Sequence, residues 1–102
     1  MTAEELFNCI PKGHRNALQR PTDQTIDRRL RRLIAKAREE GRIIINGNQG
    51  YYEADTNDPI DMMEYHAFIK KQESRIRKIR KGISGMAYSV EMQDRMSLGD
   101  IE

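Results

Sequence analysis

The chain has 102 residues, of which 37% are hydrophobic and 33% are charged. This length predicts one domain, with or without an appendage, and a domain this small buries only a modest core. We therefore expect oligomerisation to contribute to its stability. Cys9 is the only cysteine, which excludes an internal disulfide and favours a reducing compartment. The N-terminal segment has no signal-peptide pattern and no run long enough to span a membrane, so we expect a soluble, cytoplasmic protein without a membrane partner.

The net charge of +2 hides an uneven distribution of charge along the chain. Residues 11–49 carry ten basic and four acidic side chains, whereas residues 50–67 carry five acidic side chains and no basic one. Residues 68–82 carry seven basic side chains and one acidic one, and residues 83–102 are acidic again. The chain thus contains two basic blocks separated by an acidic one.

Residues 2–9 predict a short first helix. Thr2 and Glu5 have the spacing of a capping box, in which the threonine accepts from a backbone N–H and the glutamate reaches back. Cys9 lies next to apolar residues, so we expect its side chain in the core. Pro11 then breaks the helix.

The segment after Pro11 is predicted as a turn followed by a short helical stretch. Residues 15–20 form one or two helical turns, with Ala17 and Leu18 facing inward. Pro21 ends this stretch, because the residue before a proline avoids the helical region.

Residues 22–41 predict the long amphipathic helix around which the chain is organised. Thr22 or Asp23 caps its start, and Gly41 suits the left-handed position just beyond its end. Helical spacing puts five side chains on one apolar stripe: Ile26, Leu30, Leu33, Ile34 and Ala37. The opposite face is led by Gln24, Arg28, Arg32 and Ala35.

A β-hairpin is predicted directly after this helix. Residues 43–45 are three isoleucines, which favour a strand, and Tyr51 and Tyr52 begin a second strand. Residues 46–50 between them are rich in asparagine and glycine, which tolerate the backbone angles of a turn.

A second long helix is predicted over residues 58–88, with Asp58 as its N-cap and Pro59 at its first position. Residues 89–102 are predicted as a short helix or a frayed tail. The order of elements, a helix–turn–helix followed at once by a hairpin, is that of a winged helix domain. We therefore divide the chain into a winged helix domain (residues 1–57), the long helix and the tail. The predicted fold class is mainly α with a small β-hairpin wing.

The second long helix carries a heptad seam that predicts dimerisation. Nine residues repeat at alternating spacings of three and four: Met62, Tyr65, Ile69, Gln72, Ile76, Ile79, Ile83, Met86 and Val90. We expect a two-stranded coiled coil between two copies, through Met62, Tyr65, Ile69, Ile76, Ile79 and Ile83. One alternative is that the helix folds back on the domain through Met62, Tyr65 and Ile69. Another, compatible with a dimer, is that its basic half contacts DNA phosphates.

Two short motifs carry a resemblance to a known family. The segment IPKGHRNAL (residues 10–18), together with GYY (residues 50–52) at the return of the hairpin, resembles small winged helix proteins encoded by bacteriophages and prophages. The resemblance covers roughly residues 4–54. It implies DNA binding in phage transcription regulation or replication, in the cytoplasm of a bacterial host. The family has a fuller second helix and a turn between the Asn-Ala-Leu motif and the recognition helix, whereas here only residues 19–22 separate the two. Either the helix–turn–helix is truncated, or residues 18–26 are arranged differently.

The basic face of the central helix predicts binding to double-stranded DNA, because arginine and glutamine read base edges and cations bind phosphates. We expect base contacts from Gln24, Thr25 and Arg28, since the N-terminal half of such a helix normally reaches the bases. Phosphate contacts are expected from Arg20, Arg29, Arg31, Arg32 and Lys36. At the hairpin tip, Asn48 and Gln49 are candidates for minor-groove or phosphate contacts. The alternative for the tip is an ordinary turn.

Two other kinds of binding remain open. A phage adaptor that docks on a host or phage protein would use the same core, with the acidic residues 53–64 and the long helix as its surface. RNA binding is disfavoured, because no aromatic residues alternate with the basic ones to stack on exposed bases.

Catalysis and metal binding find little support in the sequence. Cys9, His14 and His66 are the only candidate nucleophiles, bases or soft ligands, and no two of them have a metal-ligand spacing. The acidic residues 55–64 lack the glycine and spacing of a calcium loop. We expect a binding protein with no cofactor, no metal and no catalytic residues.

Overall fold

The computed structural model describes the backbone of residues 1–101 and the side chains of residues 1–95. Its elements are helix α1 (Ala3–Asn8), a 3-10 helix (His14–Asn16), helix α2 (Gln24–Glu39), strands β1 (Ile44–Gly47) and β2 (Gly50–Glu53), and helix α3 (Pro59–Ile101). The chain is therefore mainly helical, with an antiparallel hairpin between helices and a long C-terminal helix. It divides into two compact units, Met1–Ile69 and a second one that begins at Lys70. Among the described residues, no helix has the length and apolar character that crossing a bilayer requires.

Helix α1 begins at its predicted cap but ends one residue early. The hydroxyl of Thr2 accepts from the backbone N–H of Glu5 at 3.1 Å. The prediction that Cys9 lies in the core is wrong, because Cys9 is the exposed residue that follows the last turn. Since the helix stops at Asn8, helical spacing no longer fixes the direction of that side chain. The buried residue of α1 is Ala3 instead.

Of the helical turns predicted over residues 15–20, only the 3-10 helix His14–Asn16 is present, and residues 17–20 are not helical. The backbone of Leu18 is hydrogen-bonded in both directions to Tyr51, with N···O distances of 2.7 and 2.8 Å. The N–H of Gly13 donates to the carbonyl of Glu53 at 2.8 Å. The segment after α1 therefore covers the free edge of β2 through two isolated bridges, at Lys12 and Leu18, and so satisfies donors and acceptors of that edge.

Gly50 permits this close approach. Its φ of 132° lies in the region that favours glycine, and a Cβ at this position would collide with the carbonyl oxygen of Leu18. The hairpin turn itself is shorter than predicted. The register pairs Gly47 with Gly50, so only Asn48 and Gln49 lie outside the ladder.

The hairpin lies between α2 and the part of α3 that belongs to the first unit. Its side chains alternate in direction, so that one face packs against each helix. On one face Ile44 and Tyr51 pack with the apolar stripe of α2, in a cluster that includes Ala3. On the other face, Ile45 and Tyr52 pack with Ala54. Partly buried side chains complete the two clusters: Leu6, Phe7, Ile10, Leu18, Ile26 and Leu33 around the first, and Ala17, Ile43, Tyr65 and Phe68 around the second. Ala17 and Leu18 thus face inward, as predicted.

Helix α3 begins as the sequence predicts. Asp58 Oδ1 accepts from the N–H of Ile60 at 2.9 Å, and Pro59 is the first helical residue. The helix continues through Gly82 and Gly85 without a break. It therefore includes residues 89–101, which were predicted as a separate short helix or a tail, and residue 102 lies outside the described part.

Candidate nucleic-acid interface

The N-terminal limit of α2 decides which side chains its first turn presents. Asp23 Oδ1 accepts from the backbone N–H groups of Thr25 and Ile26 at 2.9 and 3.2 Å, which makes Asp23 the N-cap. Gln24 and Thr25 are therefore the first two helical residues, and both are exposed. At the other end Gly41 has a φ of 96°, the left-handed position predicted for it.

The basic residues predicted to contact DNA, Arg20 before α2 and five within it, divide into paired and unpaired groups. Arg20 and Arg31 both bind the carboxylate of Asp27, at 3.0 and 3.3 Å. Arg29 donates from Nε to Glu4 of α1 at 2.6 Å. A cation already held by a carboxylate gains less from a phosphate, since part of its charge is neutralised. These three arginines were predicted as phosphate contacts, and the structure gives each of them a partner within the chain.

Arg28, Arg32 and Lys36 have no acidic partner among the described residues. All three are exposed, and they recur at intervals of four along α2. They line a shallow concave surface of about 500 Å³. We call it the basic groove, and its six lining residues are Thr25, Arg28, Arg29, Arg32, Leu33 and Lys36. The strongest uncompensated positive charge of the first unit is thus aligned on one helix face, which suits the phosphates of one strand.

Asp27 organises the opposite flank of α2. It is a buried acid, 6% exposed, and its ion pair with Arg31 joins adjacent turns of the helix. The hydrogen bond from Arg20 to Asp27 raises the pKa of Arg20. Sequence reasoning missed this role, although helical spacing puts Asp27 in line with Leu30 and Ile34. A carboxylate in line with an apolar stripe is a signal that a basic partner lies nearby.

Replacing Asp27 by asparagine is expected to lower the stability of the protein but to raise its affinity for duplex DNA. The free energy of unfolding should fall by about 2 kcal/mol, because two charge-assisted contacts to a buried group are lost. Duplex affinity at low salt should rise, because Arg20 and Arg31 are no longer neutralised. Urea unfolding and fluorescence anisotropy on a labelled duplex measure the two effects. Glu39→Gln is the control, since it changes net charge equally and Glu39 has no ion pair among the described residues; an equal rise there would refute this role of Asp27.

Two further arginines support the hairpin rather than a ligand. Arg38 donates to the carbonyl of Ile44 at 2.7 Å and lies over the ring of Phe68, with 4.9 Å between guanidinium carbon and ring centroid. Burial lowers the pKa of Arg38. Arg42 pairs with Glu53 at 3.3 Å. Both guanidinium groups thus already have contacts within the chain.

The hairpin tip is less cationic than the rest of the predicted interface. Asn48 and Gln49 form the exposed turn. The N–H of Asn48 approaches the carboxylate of Glu64 at 3.4 Å. A carboxylate beside the tip opposes close contact with phosphates, so neutral base edges remain the only contacts that suit these two side chains.

His14 and Asp61 form a buried pair that the sequence did not reveal. Asp61 is 0% exposed, and its carboxylate accepts from the Nδ1 of His14 at 2.5 Å and the N–H of His14 at 3.2 Å. It also accepts from the N–H of Asp55 at 2.8 Å. Burial alone would raise the pKa of Asp61, but these hydrogen bonds outweigh it and hold the pKa below its ordinary value. The pair fastens the 3-10 helix to the start of α3.

The same place has the donor types of a metal site. His14, Asp58 and Asp61 each offer one ligand atom, and these atoms lie within 4.8 Å of one another. However, both oxygens of Asp61 already accept N–H groups, and Asp58 Oδ1 caps α3. Hydrogen bonding within the chain therefore accounts for the arrangement.

The predicted dimerisation residues fall on both units. In the first unit, Tyr65 packs against the second core cluster, and Ile69 lines a cavity of about 250 Å³ with residues around Ile43. Met62 is partly buried. In the second unit Ile76, Ile79 and Ile83 are exposed, as are four other large apolar side chains of that helix: Met86, Tyr88, Val90 and Met92.

Comparison with family models, with curated proteins and with solved structures finds no match for this chain.

Proposed function

We propose that this chain is a DNA-binding protein of winged helix type, in which α2 lies in the major groove of a duplex. The observation that carries the proposal is the basic groove, where Arg28, Arg32 and Lys36 project from one face without acidic partners among the described residues. An α-helix fits the width of the major groove. Gln24, Thr25 and Arg28 in the first turns would read bases, and the other two cations would bind phosphates.

The arrangement of the hairpin supports this proposal. In a winged helix domain, the hairpin follows the recognition helix and packs beside it, and here β1 and β2 bury Ile44 and Tyr51 against α2. The two motifs that resemble phage winged helix proteins are also in contact, since Leu18 and Tyr51 share two backbone hydrogen bonds. The departure is the second helix, which a 3-10 helix replaces. A role in phage transcription or replication belongs to the same proposal.

The rival proposal is a protein-binding adaptor that uses the acidic residues 53–64. The structure weakens its chemical basis, because most of these acids are engaged within the chain. Glu53 pairs with Arg42, and Asp61 is buried with His14. Asp58 caps α3. Such a surface offers a partner less free negative charge than its five acidic residues suggest.

Salt-dependent binding to duplex DNA tests the proposal. Two phosphate contacts, from Arg32 and Lys36, predict a slope of about −1.8 in log K against log salt, and so a loss of about 12-fold between about 50 and about 200 mM salt. Fluorescence anisotropy on a labelled duplex of random sequence measures this slope. Selection of bound sequences from a random duplex pool then identifies the base preference. Undetectable binding at low salt would refute DNA binding and favour the adaptor.

A further inference from the structure

An apolar row on the second unit has no partner among the described residues. Along one face of α3, Ile76, Ile79 and Ile83 are 48%, 55% and 56% exposed. Met86 and Val90 continue the row and are also exposed. The spacing alternates between three and four residues, which is the seam of a coiled coil. A contiguous apolar row of this kind marks an association surface.

We infer that this face pairs with the same face of a second copy and that the two α3 helices run antiparallel. The charges beside the seam carry the inference, because the residues that flank a seam meet across the pair and set its orientation. On one side of the seam these flanking residues are Glu73 and Arg80. On the other side they are Arg75 and Gly82.

A parallel pair in register is electrostatically unfavourable. In that arrangement each flanking residue faces the residue five positions later on the opposite side of the partner's seam. Arg75 would then face the partner's Arg80, and two-fold symmetry would repeat the contact. The parallel pair therefore places two arginine–arginine contacts at the middle of the seam.

In an antiparallel pair, flanking residues from the same side of each seam face one another, and the charge contact becomes attractive. When Ile76 lies opposite the partner's Ile79, Glu73 faces the partner's Arg80, and symmetry makes this ion pair twice. A shift of one heptad in one direction would place Glu73 against its own copy. A shift in the other direction would place Arg80 against its own copy. The charges thus select one orientation and one register.

The rest of this basic block lies away from the seam. Lys70, Lys71, Arg77, Lys78 and Lys81 are exposed on the outer faces of α3. In a pair these charges repel one another at long range in either orientation, and salt screens that repulsion. The dimer should therefore be measured at about 0.15 M salt, where a Debye length of about 8 Å weakens the repulsion between the outer charges while contacts across the seam persist.

Charge reversal distinguishes the two orientations by the sign of its effect. In the antiparallel pair, Arg80→Glu places Glu73 against a glutamate twice and should raise the dimer dissociation constant about tenfold. In a parallel pair, the same change would give Arg75 an acidic partner and lower the constant. Glu73→Arg should also weaken the antiparallel dimer, and the double variant Glu73→Arg/Arg80→Glu should restore it to within about threefold.

Sedimentation equilibrium of the full chain measures these constants. A wild-type protein that stays monomeric at high micromolar concentration would refute the dimer. A tighter Arg80→Glu dimer would refute its antiparallel orientation. A double variant no better than the single ones would refute the register. Circular dichroism of each variant shows whether α3 stays helical, so that a loss of pairing is distinguished from unfolding.

Disulfide trapping gives an independent measurement of register. In a Cys9→Ser background, the proposed pair places Gln72 opposite the partner's Ile83. A mixture of Gln72→Cys and Ile83→Cys proteins, one carrying a mass tag, should therefore form about tenfold more mixed than self-linked dimer, since a disulfide needs closely spaced Cβ atoms. A predominance of self-linked dimers would show a parallel pair. No linked dimer in any mixture would refute the register.

Discussion

Replacing both Arg28 and Arg32 by alanine is expected to weaken duplex binding about a hundredfold. Each arginine contributes a contact of about 1–3 kcal/mol when it reaches a base edge, and less when it reaches a phosphate. The salt slope should become shallower by about one, because the phosphate charge that Arg32 binds is no longer neutralised. Both side chains are exposed and alanine favours helices, so the fold should be unaffected. Fluorescence anisotropy over a range of salt concentrations gives both quantities.

A matched control distinguishes the contribution of this helix face to DNA affinity from the contribution of net charge. Lys70→Ala/Lys71→Ala removes the same two charges from exposed positions of α3. If the protein binds DNA through the basic groove, this control should weaken binding much less than the Arg28/Arg32 pair. Equal losses in the two double variants would show that overall charge, and not α2, governs the affinity.

A conservative pair of substitutions separates base contacts from phosphate contacts. Arg28→Lys/Arg32→Lys keeps both charges but loses the planar fork that binds guanine through two hydrogen bonds. Affinity for bulk duplex and its salt slope should therefore persist, while preference for a selected sequence falls. An unchanged preference would assign both arginines to the phosphate backbone and leave base contacts to Gln24 and Thr25.

Several elements were predictable because their signals are local. Asp23 and Gly41 fix the ends of α2 through side-chain capping and left-handed geometry, both of which follow from residue type. The three isoleucines and the glycine-rich turn specify the hairpin in the same way. At the start of α3, Asp58 and Pro59 act within a single turn. Such features need no knowledge of the rest of the fold.

Contacts between distant parts of the chain were not predictable in this way. His14 and Asp61 are 47 residues apart, and neither residue is unusual in its own segment. Residues 15–20 have a composition compatible with helix, yet Leu18 is drawn to the edge of β2, where Tyr51 satisfies both of its backbone groups. Tertiary hydrogen bonding overrides local preference at such sites.

The candidate interface also combines local features, which were predictable, with contacts between distant segments, which were not. Helical periodicity identified the basic face, and Arg28 and Arg32 are exposed there as expected. Periodicity places Arg31 one turn from Asp27, but it could not show that Arg20 also binds Asp27 or that Glu4 binds Arg29, because Arg20 and Glu4 come from other segments. Of the five predicted phosphate contacts, Arg32 and Lys36 are thus the two without a carboxylate partner among the described residues.

Replacing Asp61 by asparagine is expected to cause the largest loss of stability, about 3 kcal/mol at neutral pH. The carboxylate accepts three N–H groups, whereas an amide presents one acceptor and turns its NH₂ toward either Asp55 or His14. One buried donor is left without a partner, and a charge-assisted bond is lost. Urea unfolding, with an unchanged m-value, measures the difference in the free energy of unfolding.

The pH dependence of this difference identifies its cause. The folded protein holds the pKa of Asp61 below its ordinary value of 3.8, so the stabilisation is fully present above that value. As pH falls through the lowered pKa, Asp61 takes up a proton and the difference between wild type and Asp61→Asn should shrink. Asp58→Asn is the matched control, since asparagine also caps helices and Asp58 is partly exposed, and it should cost little at any pH. A difference for Asp61→Asn that stayed constant down to acid pH would mean that packing, and not the ionised carboxylate, stabilises the junction between the 3-10 helix and α3.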